Sequence, residues 1–368
     1  MKPHVNNIPH LGMIISLLLF AGAPTASAQA PGRDSETLSP EQKVDQAIRM
    51  MLEIDELHLR EAERFEQLKE PDRLIREAVL VKPDMEKILL AQGLFASITN
   101  RSAEAIRALG LYNTTPNARD DYRGFAKVGE IYLRSGMPRQ AKNPLMRARD
   151  LAPIPSSKKD KPIKARIAMD LADAYLGLSQ AKKAIETATE GQTFAPDHGE
   201  IQLRLAEITS RAQAFETAAT AVKRAISILW VDIRDDPFQM AAHINLRRAY
   251  TISTDVHEYF LATDPENGNH FAAFAEMQLD KADVERRISL LNARDLMTKA
   301  IEKIPDNTAW KLDLIRIEME LGGLTEARGH LADLLRSDSK NAAALKLKQR
   351  LDAPPCSRHP AMSPHYHF

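Results

Sequence analysis

From about residue 40 to 352 apolar side chains return every three or four positions, while β-branched runs and Asn-Gly hairpin signals are nearly absent. That periodicity predicts helices throughout and an all-α chain. Ser39-Pro40-Glu41-Gln42 opens the helical region with a capping box: Ser39 as N-cap, Pro40 in the first helical position and Gln42 reaching back. Over about 40–70 the residues are strongly charged around the apolar stripe Val44, Ile48, Met51, Ile54 and Phe65. The stripe drifts from a heptad register, so packing on the helices that follow is expected in preference to a coiled-coil dimer. Upstream the pattern changes: Lys2, an apolar run Met13–Ala21, Pro24, and the small-residue stretch containing Ala26-Ser27-Ala28. This is the layout of a cleaved secretory signal over 1–28. The run is bounded by Pro9 and Pro24 and falls short of the roughly 20 residues needed to span a bilayer.

Self-comparison shows a repeat. Phe125, Val128-Gly129, Tyr132, Gly136, Ala141, Leu145, Ala148 and Pro153 recur in type as Leu171-Ala172, Tyr175, Ala184, Ala188, Gly191 and Pro196. A third copy, carrying Leu205-Ala206, Phe215, Ala218, Val222 and Ala225, follows directly, with Trp230 in place of the closing proline. This pattern resembles the tetratricopeptide repeat, a 34-residue helix-turn-helix unit with small residues where its helices cross. The resemblance implies a right-handed superhelical solenoid with a concave groove. Copies are expected at 52–85, 86–119, 122–155, 165–198, 199–232, 274–307 and 308–341, with a shortened, irregular unit at 233–273. The array would be preceded by a linker and capping helix over 29–51. A C-terminal capping helix over 342–352 and a disordered His/Pro-rich tail over 353–368 would follow it.

Composition limits the chemistry. Fifty Lys plus Arg offset fifty Asp plus Glu, so no net field draws the chain to nucleic acid or an anionic membrane, and no membrane span is expected after signal cleavage. The single cysteine, Cys356, excludes an intrachain disulfide and a cysteine-built structural zinc site. No nucleotide-binding glycine loop, H-E-x-x-H or G-x-S-x-G occurs, and His257-Glu258 lacks the second zincin histidine. Catalysis is therefore not expected, nor is a cofactor or a resident metal. In the tail, Cys356, His359, His365 and His367 are metal-ligating types, but prolines interrupt any local scaffold there.

In tetratricopeptide proteins ligands usually lie against the first helix of each pair. Carried onto this chain, that face implies Arg123, Glu130 and Arg134, then Arg166 and Asp173, then Glu207 and Arg211, with Ala126, Met169 and Leu203 between them. Mixed arginine and carboxylate suits an extended peptide or a partner helix; the same arginines equally suit pairing with carboxylates of the adjacent repeat. Glu130 and Asp173 stand where the chaperone-binding carboxylate clamp has Asn. A basic insert with Lys158, Lys159, Lys161 and Lys164 is a second candidate surface, for an anionic polysaccharide or a protein tail. The expected function is a non-catalytic, periplasmic or secreted scaffold for protein–protein contacts. Extracytoplasmic proteins of this resemblance often accompany envelope, secretion or exopolysaccharide-export assemblies. The alternative is a glycan- or metal-binding carrier that uses the insert or the His-rich tail.

Overall fold

The computed structural model describes residues 38–57, 61–154 and 162–353. The expected signal segment, Lys158, Lys159 and Lys161 of the insert, and the tail from 354 onward lie outside these residues. Among the described residues there are helices and no strands. They are α1 (Pro40–Glu56), α2 (Glu61–Val81), α3 (Glu86–Ile98), α4 (Ser102–Tyr112), α5 (Arg123–Arg134), α6 (Pro138–Leu151), α7 (Ile163–Gly177) and α8 (Ala181–Phe194). There follow α9 (Gly199–Arg211), α10 (Phe215–Asp235), α11 (Met240–Thr263), α12 (Gly268–Lys303), α13 (Thr308–Leu321), α14 (Leu324–Ser337) and α15 (Ala342–Asp352), with a short 3-10 turn at Pro116–Ala118. Each odd-numbered helix packs on the even-numbered one after it, giving seven pairs stacked into an all-α repeat solenoid, with α15 against α13 and α14.

Local chemistry sets the ends of these helices. The capping box forms: Ser39 Oγ accepts from the Gln42 backbone N–H at 3.2 Å, and Gln42 Oε1 accepts from the Ser39 N–H at 2.8 Å. Asn307 and Asn341 cap α13 and α15 by accepting from the Trp310 and Ala344 amides. The turn inside five of the pairs carries one left-handed residue: Asn100, Gly136, Ser179, Gln213 and Gly322, with φ between 58° and 93°. Only two of the five are glycines, which adopt this conformation without steric cost.

Within a pair the helices approach through small residues. A Cβ on Gly93 would meet Leu109 at 2.4 Å, and one on Gly129 would meet Leu145 at 2.4 Å, the same relationship one repeat apart. Ala141, Ala148, Ala184, Ala188, Ala218 and Ala225 are fully buried at the corresponding crossings. Val44, Ile48, Met51 and Ile54 of α1 join the core as expected, whereas Phe65 is half exposed.

Three expectations need correction. The boundary at 51/52 falls inside α1, because Ile54 continues the buried stripe of that helix; α1 and α2 are the first pair. The stretch 233–273 is not shortened, since α11 runs for 24 residues. The separate pair at 274–307 does not exist: α12 is one helix of 36 residues, for no Gly or Pro stands between Gly268 and Pro305 to break it. The sixth pair, α11 with α12, is thus much longer than the others. Phe238, in the turn before α11, fills the space above Gly323 of the last pair, and its ring centroid lies 3.8 Å from the Arg294 guanidinium of α12. Glu318, fully buried, joins Arg294 at 3.2 Å to His330 at 2.8 Å. Lys299 of α12 also donates to Glu63 of α2 at 3.0 Å, across 236 residues of chain.

Candidate functional site

The first helices α1, α3, α5, α7, α9 and α11 pack on one another from pair to pair, while consecutive second helices are separated by the first helix between them. The row of first helices is therefore the inner side of the stack, and it carries all seven residues expected to face a partner.

Each of the seven has a charged partner within the protein. Arg123 closes on the loop before its own helix: its amide and guanidinium bind Asp121 at 2.7–3.0 Å, and Asp121 also accepts the Tyr112 hydroxyl at 2.6 Å. Burial works against the Asp121 charge, but these hydrogen bonds hold its carboxyl below the usual value. Burial is also the larger of the effects that raise the Tyr112 phenol, with the bond to Asp121 second. Glu130 binds Lys127 and lies 3.8 Å from Arg134, which also donates to Ser97 Oγ of α3 at 3.1 Å. Arg166 bridges Glu56 of α1 at 3.1 Å and Glu200 of α9 at 2.9 Å. Asp173 accepts from Arg204 at 2.6 Å and Arg211 at 2.5 Å, and Glu207 accepts from Arg248 of α11 at 2.7 Å.

Four important members of this network were not among the expected residues. Lys127, only 8% exposed, reaches Asp55 of α1 at 2.5 Å as well as Glu130. Burial opposes its charge, yet Glu130 and Asp55 hold its ammonium above the ordinary value. Arg204 sits between Asp170 and Asp173, 2.6 Å from each. Burial opposes this charge too, and the two carboxylates outweigh it. With Asp170 and Arg248, these residues complete a ladder of ion pairs that ties α1 to α5 and α7, α7 to α9, and α9 to α11.

Exposure divides the ladder. Lys127, Arg204, Asp170 and Asp173 are largely covered, whereas Arg134 and Arg211, the last residues of α5 and α9, and Arg248, in the first half of α11, stay about half exposed. The covered members hold the repeats together; the exposed arginines can exchange a carboxylate of the protein for one of a ligand at small cost. Lys164, the one described lysine of the basic insert, places its ammonium 5.5 Å over the Phe194 ring of α8. Among the described residues no group of three His, Cys, Asp or Glu could hold a metal ion, and no helix is long and apolar enough to cross a membrane.

No curated protein matches the sequence. Among solved structures, one titled "MamA AMB-1 C2221" aligns at 16% identity with a TM-score of 0.36, covering 50% of this chain and 96% of its own. The structure of YrrB, titled a TPR protein with an unusual peptide-binding site, aligns at 12% identity with a TM-score of 0.35, covering 54% and 96%. Neither superposition is close enough to carry an argument, so the solenoid rests on the helix pairs themselves. Residues 290–351, from the last turns of α12 through nearly all of α15, match the family model of the tetratricopeptide repeat.

Proposed function

We propose that the protein is a non-catalytic scaffold that binds an extended, carboxylate-bearing peptide or a partner helix along the inner row of first helices. The observation that carries this reading is the split within the ladder. Arg134, Arg211 and Arg248 of the inner helices are about half exposed, each against a single carboxylate of the protein. The buried pairs beneath keep those helices in place. An open helical row supports a binding surface and does not supply the water-excluding pocket that catalysis needs. The signal-like segment 1–28 supports a role outside the cytoplasm, in an envelope, secretion or exopolysaccharide-export assembly.

The test uses the secreted form from Gln29 as bait on an envelope extract, beside a variant with Arg134, Arg211 and Arg248 all changed to Ala. A discrete partner retained by the parent and lost by the variant, with both melting alike, supports the reading. Equal capture by the two, or none by the parent, overturns it. Fusion of residues 1–28 to a reporter that is active only after export tests the compartment separately.

A further inference from the structure

Between the second helices α10 and α12, above α11, the fold leaves a cavity of about 400 Å³, within the range of small-molecule sites. It shares no residue with the inner-face ladder. Along α10, Ala219, Val222, Ile226 and Trp230 recur at three- and four-residue steps and make one apolar wall; Val256 of α11 and Met277 of α12 complete it. The Trp230 ring is fixed, because its Nε1–H donates to the Tyr250 hydroxyl at 3.0 Å and the Arg287 guanidinium lies 5.5 Å from its centroid.

One polar atom on α11 borders this space buried and without a hydrogen-bonding partner among the described residues, the Nδ1 of His257. Ser253, one turn before it, also lines the space. Orphaned polar atoms beside a cavity are costly unless something in the cavity bonds them. With its proton on Nε2, His257 presents Nδ1 as an acceptor that a donor in the cavity satisfies, and the Ser253 hydroxyl beside it can accept a second. Across from them Glu276 and Asp280 stand one turn apart on α12, against a single lysine, Lys223, on the α10 side.

We propose that this cavity is a binding site for a small organic ammonium, its apolar body against Val222, Ile226, Trp230 and Met277 and its charged head among Ser253, His257, Glu276 and Asp280. An ammonium has three donors and no acceptor, which matches the orphaned His257 Nδ1, the Ser253 hydroxyl and a carboxylate. A carboxylate ligand of the same shape would meet Glu276 and Asp280 and leave the His257 Nδ1 unpaired.

The sequence has two tryptophans, so Trp310→Phe leaves Trp230 as the reporter in an otherwise complete chain. Its fluorescence is followed while 2-phenylethylamine, benzylamine and cyclohexylamine are titrated to millimolar concentration, beside 2-phenylethanol and 3-phenylpropionate. At least one amine is expected to give a saturable change, with the alcohol and the acid weaker by about tenfold or more. Ala219→Leu, which fills the half-open wall, should abolish the change, and Glu276→Gln on the exposed side of α12 should weaken amine binding by about threefold to tenfold. If Ala219→Leu melts early, Glu276→Gln alone gives the reading. The proposal fails if no amine saturates, if the alcohol or the acid binds equally, or if Glu276→Gln leaves amine affinity unchanged.

Discussion

Arg204 and Asp170 are 34 residues apart in sequence and 2.6 Å apart in space. The separation is one repeat length, and Arg166 reaches Glu200 across the same interval at 2.9 Å. A charge on one first helix thus finds its opposite on the next because the period places both at equivalent heights. The geometry favours the structural reading of Arg166, which is held from both sides, and leaves Arg211 with one carboxylate and a half-exposed side chain.

From this follows a contrast in stability. Arg204→Met leaves Asp170 without its cation in a covered site and should cost about 3 kcal/mol. Combining it with Asp170→Leu should recover most of the loss, since an apolar pair of similar volume replaces a desolvated ion pair at little net cost. Arg211→Ala or Arg248→Ala should change stability by about 0–1 kcal/mol. Urea unfolding of the four variants beside the parent checks all of this; a double variant as unstable as Arg204→Met would show that the ion pair is not replaceable.

Ala141→Leu and Ala184→Leu should each destabilise by about 1–3 kcal/mol, because both alanines are fully buried where helices cross and added methylenes have nowhere to go. Ala343→Leu should have a smaller effect, as Ala343 is only partly buried on the terminal helix. Thermal melts of the three rank them directly.

Ser179 and Gln213 hold φ near +60° in the turns of the fourth and fifth pairs, where Gly136 serves the third. A side chain in that region carries about 1 kcal/mol of strain that glycine lacks. Ser179→Gly and Gln213→Gly should therefore raise the melting temperature, each by a few degrees at most, since glycine also gains freedom in the unfolded chain. Gly136→Ala should lower it. A fall in melting temperature for both glycine variants would mean that the turn is held by side-chain contacts and not by backbone preference.

The turns also show how far the repeat can be read from the chain. Gly136 was visible as a turn residue, while Asn100, Ser179 and Gln213 adopt the same backbone without its signature, imposed by the helices on either side. Gly129 and Ala141 were legible because close approach admits few residue types. The length of α12 was missed because alanines at Ala293 and Ala300 carry repeat-like spacing even inside a continuous helix; the absence of a breaker after Gly268 was the better signal. At the candidate face, the resemblance to the tetratricopeptide repeat pointed to Arg166, Asp173 and Arg211 but not to Lys127 or Arg204. Whether a charge is covered depends on the neighbouring pair, which spacing within one repeat does not encode.

Three histidines set the expected response to acid. Desolvation is the main cause that lowers the pKa of His198, His243 and His257 in the folded chain. His243 is fully buried; its Nδ1 is 3.1 Å from the Gln239 carbonyl and its Nε2 is buried without a partner. Above the ordinary histidine value, about 6.5, the three are neutral in both states and stability does not depend on them. Below it the unfolded chain takes up protons that the folded chain refuses, so stability falls as pH drops from about 7 towards 5. The carboxylate Asp121, lowered when folded, adds its own loss only at more acid pH, below about 4. Melting temperatures between pH 8 and pH 4.5 should therefore decline first through the histidine range. His243→Leu should flatten that part of the curve while leaving the more acid limb in place. A parent whose melting temperature is level from pH 8 to pH 5 would show that these imidazoles protonate as readily folded as unfolded.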